Sequence, residues 1–271
     1  MDNQQAILDI MIEAALEAGE AILEIYETSF SNTAKNDGSP VTIADQRAED
    51  IILSHLAKTG IPVLAEESAE AGKIPTLGKR FFCVDPLDGT KEFIKKNGEF
   101  TINIALIENG KPILGLISVP TQDKIYFASE DGAFKTKIID NKIGKKEKIS
   151  VAGCGDIKLV ASRSHGSELL KELDIKLPPC EDVSVGSALK FCLLAEGKAR
   201  LYPRFTNTYE WDSAAGQAIL EAAGGVVLTL DGLPLTYDKA KDNYLNPFFV
   251  AADCEELGEQ VAKYMNEICS S

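Results

Sequence analysis

Apolar residues recur along this chain with two different periods. Over residues 4–27, Ile7, Ile10, Met11, Ala14, Ala18, Ile22 and Ile25 fall at helical spacing, while Glu13, Glu17, Glu20 and Glu24 sit mostly off that stripe. The pattern predicts a long surface helix. A polar loop, Lys35-Asn36-Asp37-Gly38-Ser39-Pro40-Val41-Thr42, precedes a second predicted helix over about 43–58. Thr42 and Asp45 there stand as in a capping box with Asp in place of Glu. Residues 61–65 and the run Phe81-Phe82-Cys83-Val84 read as short strands. Alternation then predicts strands over 100–108, 111–119, 124–129 and 132–138, with hairpin turns at Asn109-Gly110 and Asp131-Gly132. Residues 140–150, rich in Lys and Gly, read as a surface connection.

Beyond that connection the two periods alternate. Strands are expected at 157–162, 182–185, 199–203, 225–230 and 247–252, and helices at 166–173, 187–196, 213–223 and 255–268. The first half therefore reads as helices on a largely antiparallel sheet, and the second as an α/β arrangement. We expect two lobes, 1–153 and 154–271. No internal repeat or low-complexity tract interrupts them.

Composition adds mainly exclusions. A length of 271 residues, 45% hydrophobic and 26% charged, is that of an ordinary globular protein. The net charge of −14 argues against nucleic acid or an anionic membrane as partner. A phosphate substrate on so acidic a chain requires local cations, from metals or clustered Lys and Arg. The six cysteines show no CxxC spacing, which points to reduced, mostly buried thiols. No basic, apolar leader opens the chain and no apolar run approaches 18 residues, so a cytoplasmic location is expected.

Chemistry concentrates where predicted strands end in acids. Phe81–Val84 runs into Asp85-Pro86-Leu87-Asp88-Gly89-Thr90, and the strand at 61–65 runs into Glu66-Glu67-Ser68. If those strands are parallel neighbours, Glu66 lies beside Asp85 and Asp88. Carboxylates, a backbone carbonyl and a hydroxyl are the ligands hard divalent cations take, although Asp, Pro and Gly also make plain turns. Gly89 permits close backbone approach, and its N–H with that of Thr90 suits a phosphate at a helix start. Asp45 reads otherwise as a helix-start acid, and Asp212 otherwise as an N-cap. Lys190 follows Gly186-Ser187-Ala188-Leu189 in the first turn of a predicted helix, where a cation is disfavoured unless an anion docks there. Ser162-Arg163-Ser164-His165 marks another strand-to-helix junction, and Tyr202-Pro203-Arg204 follows a strand.

Taken together, these stretches resemble the magnesium-dependent, lithium-sensitive phosphomonoesterases that include inositol monophosphatase and fructose-1,6-bisphosphatase. Asp85 to Thr90 matches their DPLDGT signature. Trp211-Asp212-Ser213-Ala214-Ala215-Gly216 through Glu221-Ala222-Ala223-Gly224-Gly225 matches WDxAAGxxxxxEAGG apart from the extra Ala222, and Glu66-Glu67-Ser68 matches the preceding EES. Within that superfamily the chain is most similar to the 3'(2'),5'-bisphosphate nucleotidases. The loop from Lys35 to Asp45, Ser162 to His165, Lys190, and Tyr202-Pro203-Arg204 follow their pattern. Inositol monophosphatases carry a small residue in place of Lys190 and a glutamate a few residues before the Trp-Asp pair, whereas Glu210 here adjoins Trp211.

The resemblance implies a layered αβαβα sandwich and phosphomonoester hydrolysis by direct water attack. It implies Glu66, Asp85, the Leu87 carbonyl, Asp88 and Asp212 as ligands of two or three Mg²⁺. Thr90 and Asp45, with Glu66, are the implied catalytic residues, the first two orienting and deprotonating water. Gly89 and Thr90 would hold the scissile phosphate, with Asp212 also facing the substrate. Ser162, His165, Gly186, Ser187, Lys190 and Arg204 would bind the rest of a nucleotide bisphosphate, and Asp37 would approach the metals from its loop. The implied substrate is adenosine 3',5'-bisphosphate, with its 5'-phosphosulfate analogue as a second and sulfur assimilation as the setting. Members are monomers or homodimers. An inositol or sugar phosphatase on the same fold, or a silent nucleotide-binding regulator, remain the competing readings.

Overall fold

Phe81, Phe82, Cys83 and Val84 are all buried. A run without alternation of this kind requires a sheet covered on both faces. The computed structural model describes residues 4–28, 40–161 and 168–270, and it supplies both covers. Phe82 and Val84 face an outer pair of helices, α1 (Gln4–Tyr26) and α2 (Pro40–Leu56), whereas Phe81 and Cys83 face inward. The strand itself, β2 (Arg80–Asp88), lies between β1 (Val63–Ala65) and β3 (Thr101–Glu108).

β1 and β2 are parallel, with Ala65 opposite Val84, so Glu66 and Asp85 leave the two strands side by side. Every other pairing in this first sheet is antiparallel. β3 is followed by β4 (Lys111–Val119), β5 (Lys124–Ser129) and β6 (Gly132–Ile139). The stretch 140–150 is more than a connection. It holds β7 (Lys142–Ile143) and β8 (Glu147–Ile149), both paired with β6.

The second sheet runs β10 (Glu181–Ser184), β9 (Lys158–Ala161), β11 (Leu201–Arg204), β13 (Phe249–Ala252), β12 (Val226–Thr229), and mixes parallel with antiparallel pairs. Its outer face carries α5 (Glu168–Lys176) and α8 (Glu255–Ser270). Between the two sheets lie α6 (Leu189–Ala195) and α7 (Glu210–Ala222). The architecture is an αβαβα sandwich; one apolar cluster fills each outer interface and a third fills both sides of the middle helical layer. Glycine sets the closeness of the middle layer. A Cβ on Gly115 of β4 would stand 2.6 Å from the Ala215 carbonyl oxygen of α7.

Two ends differ from the sequence expectation in ways that bear on the site. α2 begins at Pro40, a residue suited to the first turn of a helix, so Thr42 and Asp45 lie inside the helix and do not cap it. β2 continues through Asp88, with its register slipping between Asp85 and Asp88. Proline cannot donate to a ladder, and Pro86 sits at that irregularity. The cysteines are free among the described residues, but only Cys83 and Cys192 are buried. Among the described residues no helix is long and apolar enough to cross a membrane.

Candidate active site

The slipped end of β2 turns its two acids toward one place. Asp85 is buried, and its Oδ1 accepts the Leu87 N–H at 2.9 Å, which bends the strand through Pro86. Asp88, three residues on, accepts from the Asn103 side chain at 3.4 Å and from the Ala188 backbone. Asn103 is itself fixed by the buried hydroxyl of Thr101, which donates at 2.9 Å. Gly89 follows with φ 98° and caps α4 (Thr90–Ile94). At that φ an L side chain is strained, and a Cβ would also press on Glu99, Phe100 and Ser187 at 3.3 Å each.

Glu66 opens α3 (Glu66–Glu70), directly off the end of β1. Its carboxyl is hydrogen-bonded to that of Asp85. Asp212 comes from the middle layer, in the first turn of α7. Its Oδ2 accepts the Tyr209 N–H at 2.8 Å, so it reaches back to the helix start without being the N-cap itself.

All four carboxyls are raised above their ordinary values. Burial is the largest cause for each; for Glu66 it is followed by the charge of Asp212, and for Asp212 by that of Asp88. Glu66 is pushed up to about 8 and Asp212 to about 7. Asp85 is raised well above the usual range by burial and by Glu66, Asp88 and Asp212. Asp88 is raised too, by burial, against the opposing pull of Lys190.

No three Asp, Glu, His or Cys side chains among the described residues are drawn together tightly enough to hold a metal as they stand. The donor set itself suits a hard divalent cation: oxygen only, densely anionic, and crowded enough to resist ionisation until a positive charge is added. Leu87, whose carbonyl completes the expected ligands, is buried between the two aspartates. The residues fit Mg²⁺.

A cleft opens beside Asp88 and Asp212 and extends to the second sheet, where Tyr202, Arg204 and Phe249 line it. Asp88, Gly89, Asp212, Ser187, Lys190 and Arg204 all line it. Lys190 is 5% exposed, donates to the Ser187 carbonyl at 2.7 Å and lies 5.4 Å over the Tyr202 ring. Burial lowers its pKa to about 8, against the attraction of Asp88. Arg204, at the end of β11, reaches the same cleft half-buried, and its Nε has no hydrogen-bond partner among the described residues.

The remaining expected residues divide. Thr90 starts α4, and α4 packs on α2, where Asp45 is buried. Gly186 and Ser187 border the cleft, but their donors face Glu99. The Gly186 N–H gives to Glu99 Oε2 and the Ser187 hydroxyl to the Glu99 carbonyl, both at 2.9 Å. α6 begins only at Leu189, after Ser187 at φ 44°, so the expected helix start at 187 moves two residues on. Ser162, His165 and Asp37 lie outside the described residues. Sequence reasoning passed over Glu49, Glu99 and Asn103. Glu49, one helical turn after Asp45, could have been found by spacing; Glu99 and Asn103 carry no local signal.

The sequence model of the inositol monophosphatase family matches residues 3–268. A curated 3'(2'),5'-bisphosphate nucleotidase CysQ from Escherichia coli is 44% identical over 247 residues, 90% of this chain and 98% of that protein. The crystal structure of CysQ from Bacteroides thetaiotaomicron, a bacterial member of the inositol monophosphatase family, superposes with a TM-score of 0.81 at 42% identity, covering 92% of this chain and 98% of that one. An inositol monophosphatase from Zymomonas mobilis shares the fold with a TM-score of 0.77 at 23% identity, covering 98% of this chain and 100% of that one. With its acids gathered where two parallel strands and a central helix meet, this chain belongs to the inositol monophosphatase family.

Proposed function

We propose that the chain is a 3'(2'),5'-bisphosphate nucleotidase that hydrolyses the 3'-phosphate of adenosine 3',5'-bisphosphate, giving AMP and orthophosphate. One observation carries the choice within the family: one cleft is lined by acids and by the cations Lys190 and Arg204 together. Asp88 and Asp212 line it beside Lys190 and Arg204, and Glu66 and Asp85 stand behind them, within reach of their charge. A buried lysine opposed by its own desolvation has a use where a second anion docks. A substrate with two phosphates gives both the acids, through bound metal, and these two cations an occupant, and the relatives named for this activity are 44% identical over most of the chain.

Glu66, Asp85, Asp88, Asp212 and the Leu87 carbonyl would hold two or three Mg²⁺. Bound Mg²⁺ supplies charge neutralisation of the phosphoryl group and acidification of the attacking water. Thr90 and Asp45 orient that water: the Thr90 hydroxyl accepts its proton while passing its own to Asp45. Glu66 would assist as a further carboxylate at the water. The water oxygen attacks phosphorus in line, the bond from phosphorus to the 3'-oxygen breaks, and the leaving oxygen takes up a proton from a second, solvent water. No phosphoenzyme forms. Gly89 and Thr90 present backbone N–H groups at the start of α4 to the scissile phosphate. Lys190 and Arg204 hold the 5'-phosphate, with Ser187 and Gly186 turning to it from Glu99; Ser162 and His165 are assigned to the same phosphate by the family resemblance alone. Binding at that distant phosphate positions the reacting one.

The test compares initial rates of phosphate release with Mg²⁺ for adenosine 3',5'-bisphosphate, inositol 1-phosphate and fructose 1,6-bisphosphate. We expect the nucleotide to lead in kcat/KM by about a hundredfold, or about 2.7 kcal/mol. Preference for inositol 1-phosphate would leave the acids their role and remove that of Lys190 and Arg204. No release above an EDTA control would identify a silent binder.

A further inference from the structure

Glu49 is a fully buried acid on α2 for which the reaction above has no use. It follows Asp45 by one helical turn, which puts both on one face of α2, and α2 packs there on β1, β2 and α3. Its carboxylate accepts from the start of α3. Oε2 takes the Glu67 N–H at 2.9 Å, and Oε1 takes the Ser68 N–H at 2.9 Å and the Ser68 hydroxyl at 2.5 Å. α3 is five residues long and has no side-chain cap of its own. Its first residue is Glu66.

We propose that Glu49 is a positioning residue, holding Glu66 in place for the metal and fixing its distance from Asp45. The inference rests on the metal reading of Glu66 given above. Helix propensity cannot hold one and a half turns in water, so the direction of Glu66 has to come from outside its own segment. Three hydrogen bonds to a charged acceptor supply it. The same contacts explain Ser68, which contributes a backbone donor and a hydroxyl, while Glu67 contributes its backbone donor alone. Asp45 and Glu66 come from segments remote in sequence, and Glu49 joins them through one carboxylate.

The experiment is calorimetric titration of the metal-free full-length protein with MgCl₂, comparing wild type with Glu49→Gln, Ser68→Ala and Glu66→Gln, beside thermal melts in EDTA. Glu49→Gln keeps the size but replaces one acceptor oxygen by an NH2 that faces a backbone N–H, in its milder orientation that of Glu67. Disturbing a group that orients a metal-binding side chain costs about 10–100-fold in metal affinity. We expect a Mg²⁺ affinity loss in that range for Glu49→Gln and a smaller loss for Ser68→Ala. At saturating Mg²⁺, kcat should fall less than the affinity does. A purely architectural role lowers the melting midpoint and leaves the Mg²⁺ affinity of the folded protein unchanged; that result overturns the proposal. If Glu49→Gln does not fold, Ser68→Ala decides by the same criterion. If Glu66→Gln binds Mg²⁺ as wild type does, the metal reading fails and takes this inference with it. If Glu66→Gln loses affinity while Glu49→Gln and Ser68→Ala keep it, only the positioning role is wrong.

Discussion

Replacing Lys190 by methionine should stabilise the metal-free protein while removing its grip on the second phosphate. The amine is 5% exposed, and burial takes its pKa from 10.5 to about 8. At about 1.4 kcal/mol per decade of proton affinity, keeping the side chain charged in place costs about 3 kcal/mol. That balance already contains the attraction of Asp88, Glu92 and Asp212 and the repulsion of Arg204. Methionine fills similar space without the charge but forfeits the hydrogen bond to the Ser187 carbonyl, worth about 1 kcal/mol. The net gain is about 2 kcal/mol at pH 7, or about 4–8 °C in melting midpoint for a chain of this size. The sign with pH follows from linkage. Below pH 8 both the folded and the unfolded lysine are charged, so the cost is full. Between 8 and 10.5 the unfolded chain binds more protons, so wild-type stability recovers toward that of the variant. Urea titrations in EDTA at pH 7 and pH 10 measure both, and phosphate release gives KM for the bisphosphate, which should rise at least tenfold. A methionine variant less stable than wild type at pH 7, or equally ahead at both pH values, would refute the argument.

The acid cluster should titrate in the opposite sense. Glu66 and Asp212 are raised to about 8 and about 7, so in EDTA the folded state binds more protons than the unfolded state between about pH 4 and 8, and the melting midpoint should fall as pH rises through that window. Added MgCl₂ should raise the midpoint more at pH 8 than at pH 5, as a thermal scan series at fixed ionic strength will show. Gly115→Ala should cost about 1–3 kcal/mol, since the new methyl would meet backbone of α7 at 2.6 Å; a urea midpoint equal to wild type would show that the middle layer yields.

What the sequence made legible was the part governed by local pattern. The unbroken run Phe81–Val84 announced a strand buried on both faces, and the acids closing it and the strand at 61–65 announced a shared edge, which the parallel pairing of Ala65 with Val84 creates. What it hid depends on partners remote in the chain. β2 runs on to Asp88 because β3 continues to pair with it across the irregularity at Pro86. Lys142 to Ile149 form strands because β6 offers them an edge, though their composition suggests a loop. The carboxylate of Glu99 lies on the Gly186 N–H, 87 positions away, and no spacing rule connects them. The spacing of Glu49 from Asp45 puts it on the same face of α2, but its partners on α3 follow only from where that helix docks.

The middle layer has a consequence for how the chain is made. The inner face of the first sheet, with Phe81, Cys83, Ile107, Ile117 and Tyr126, is covered by Phe191, Trp211 and the alanines of α7, all of them encoded after the sheet is complete. During vectorial synthesis that face emerges from the ribosome finished and uncovered, and stays so until residue 222 has left the exit tunnel. A nascent chain halted near residue 150 is therefore a substrate for chaperones that bind apolar surface. Codon changes that slow translation between 150 and 222 should lower soluble yield without altering a single amino acid.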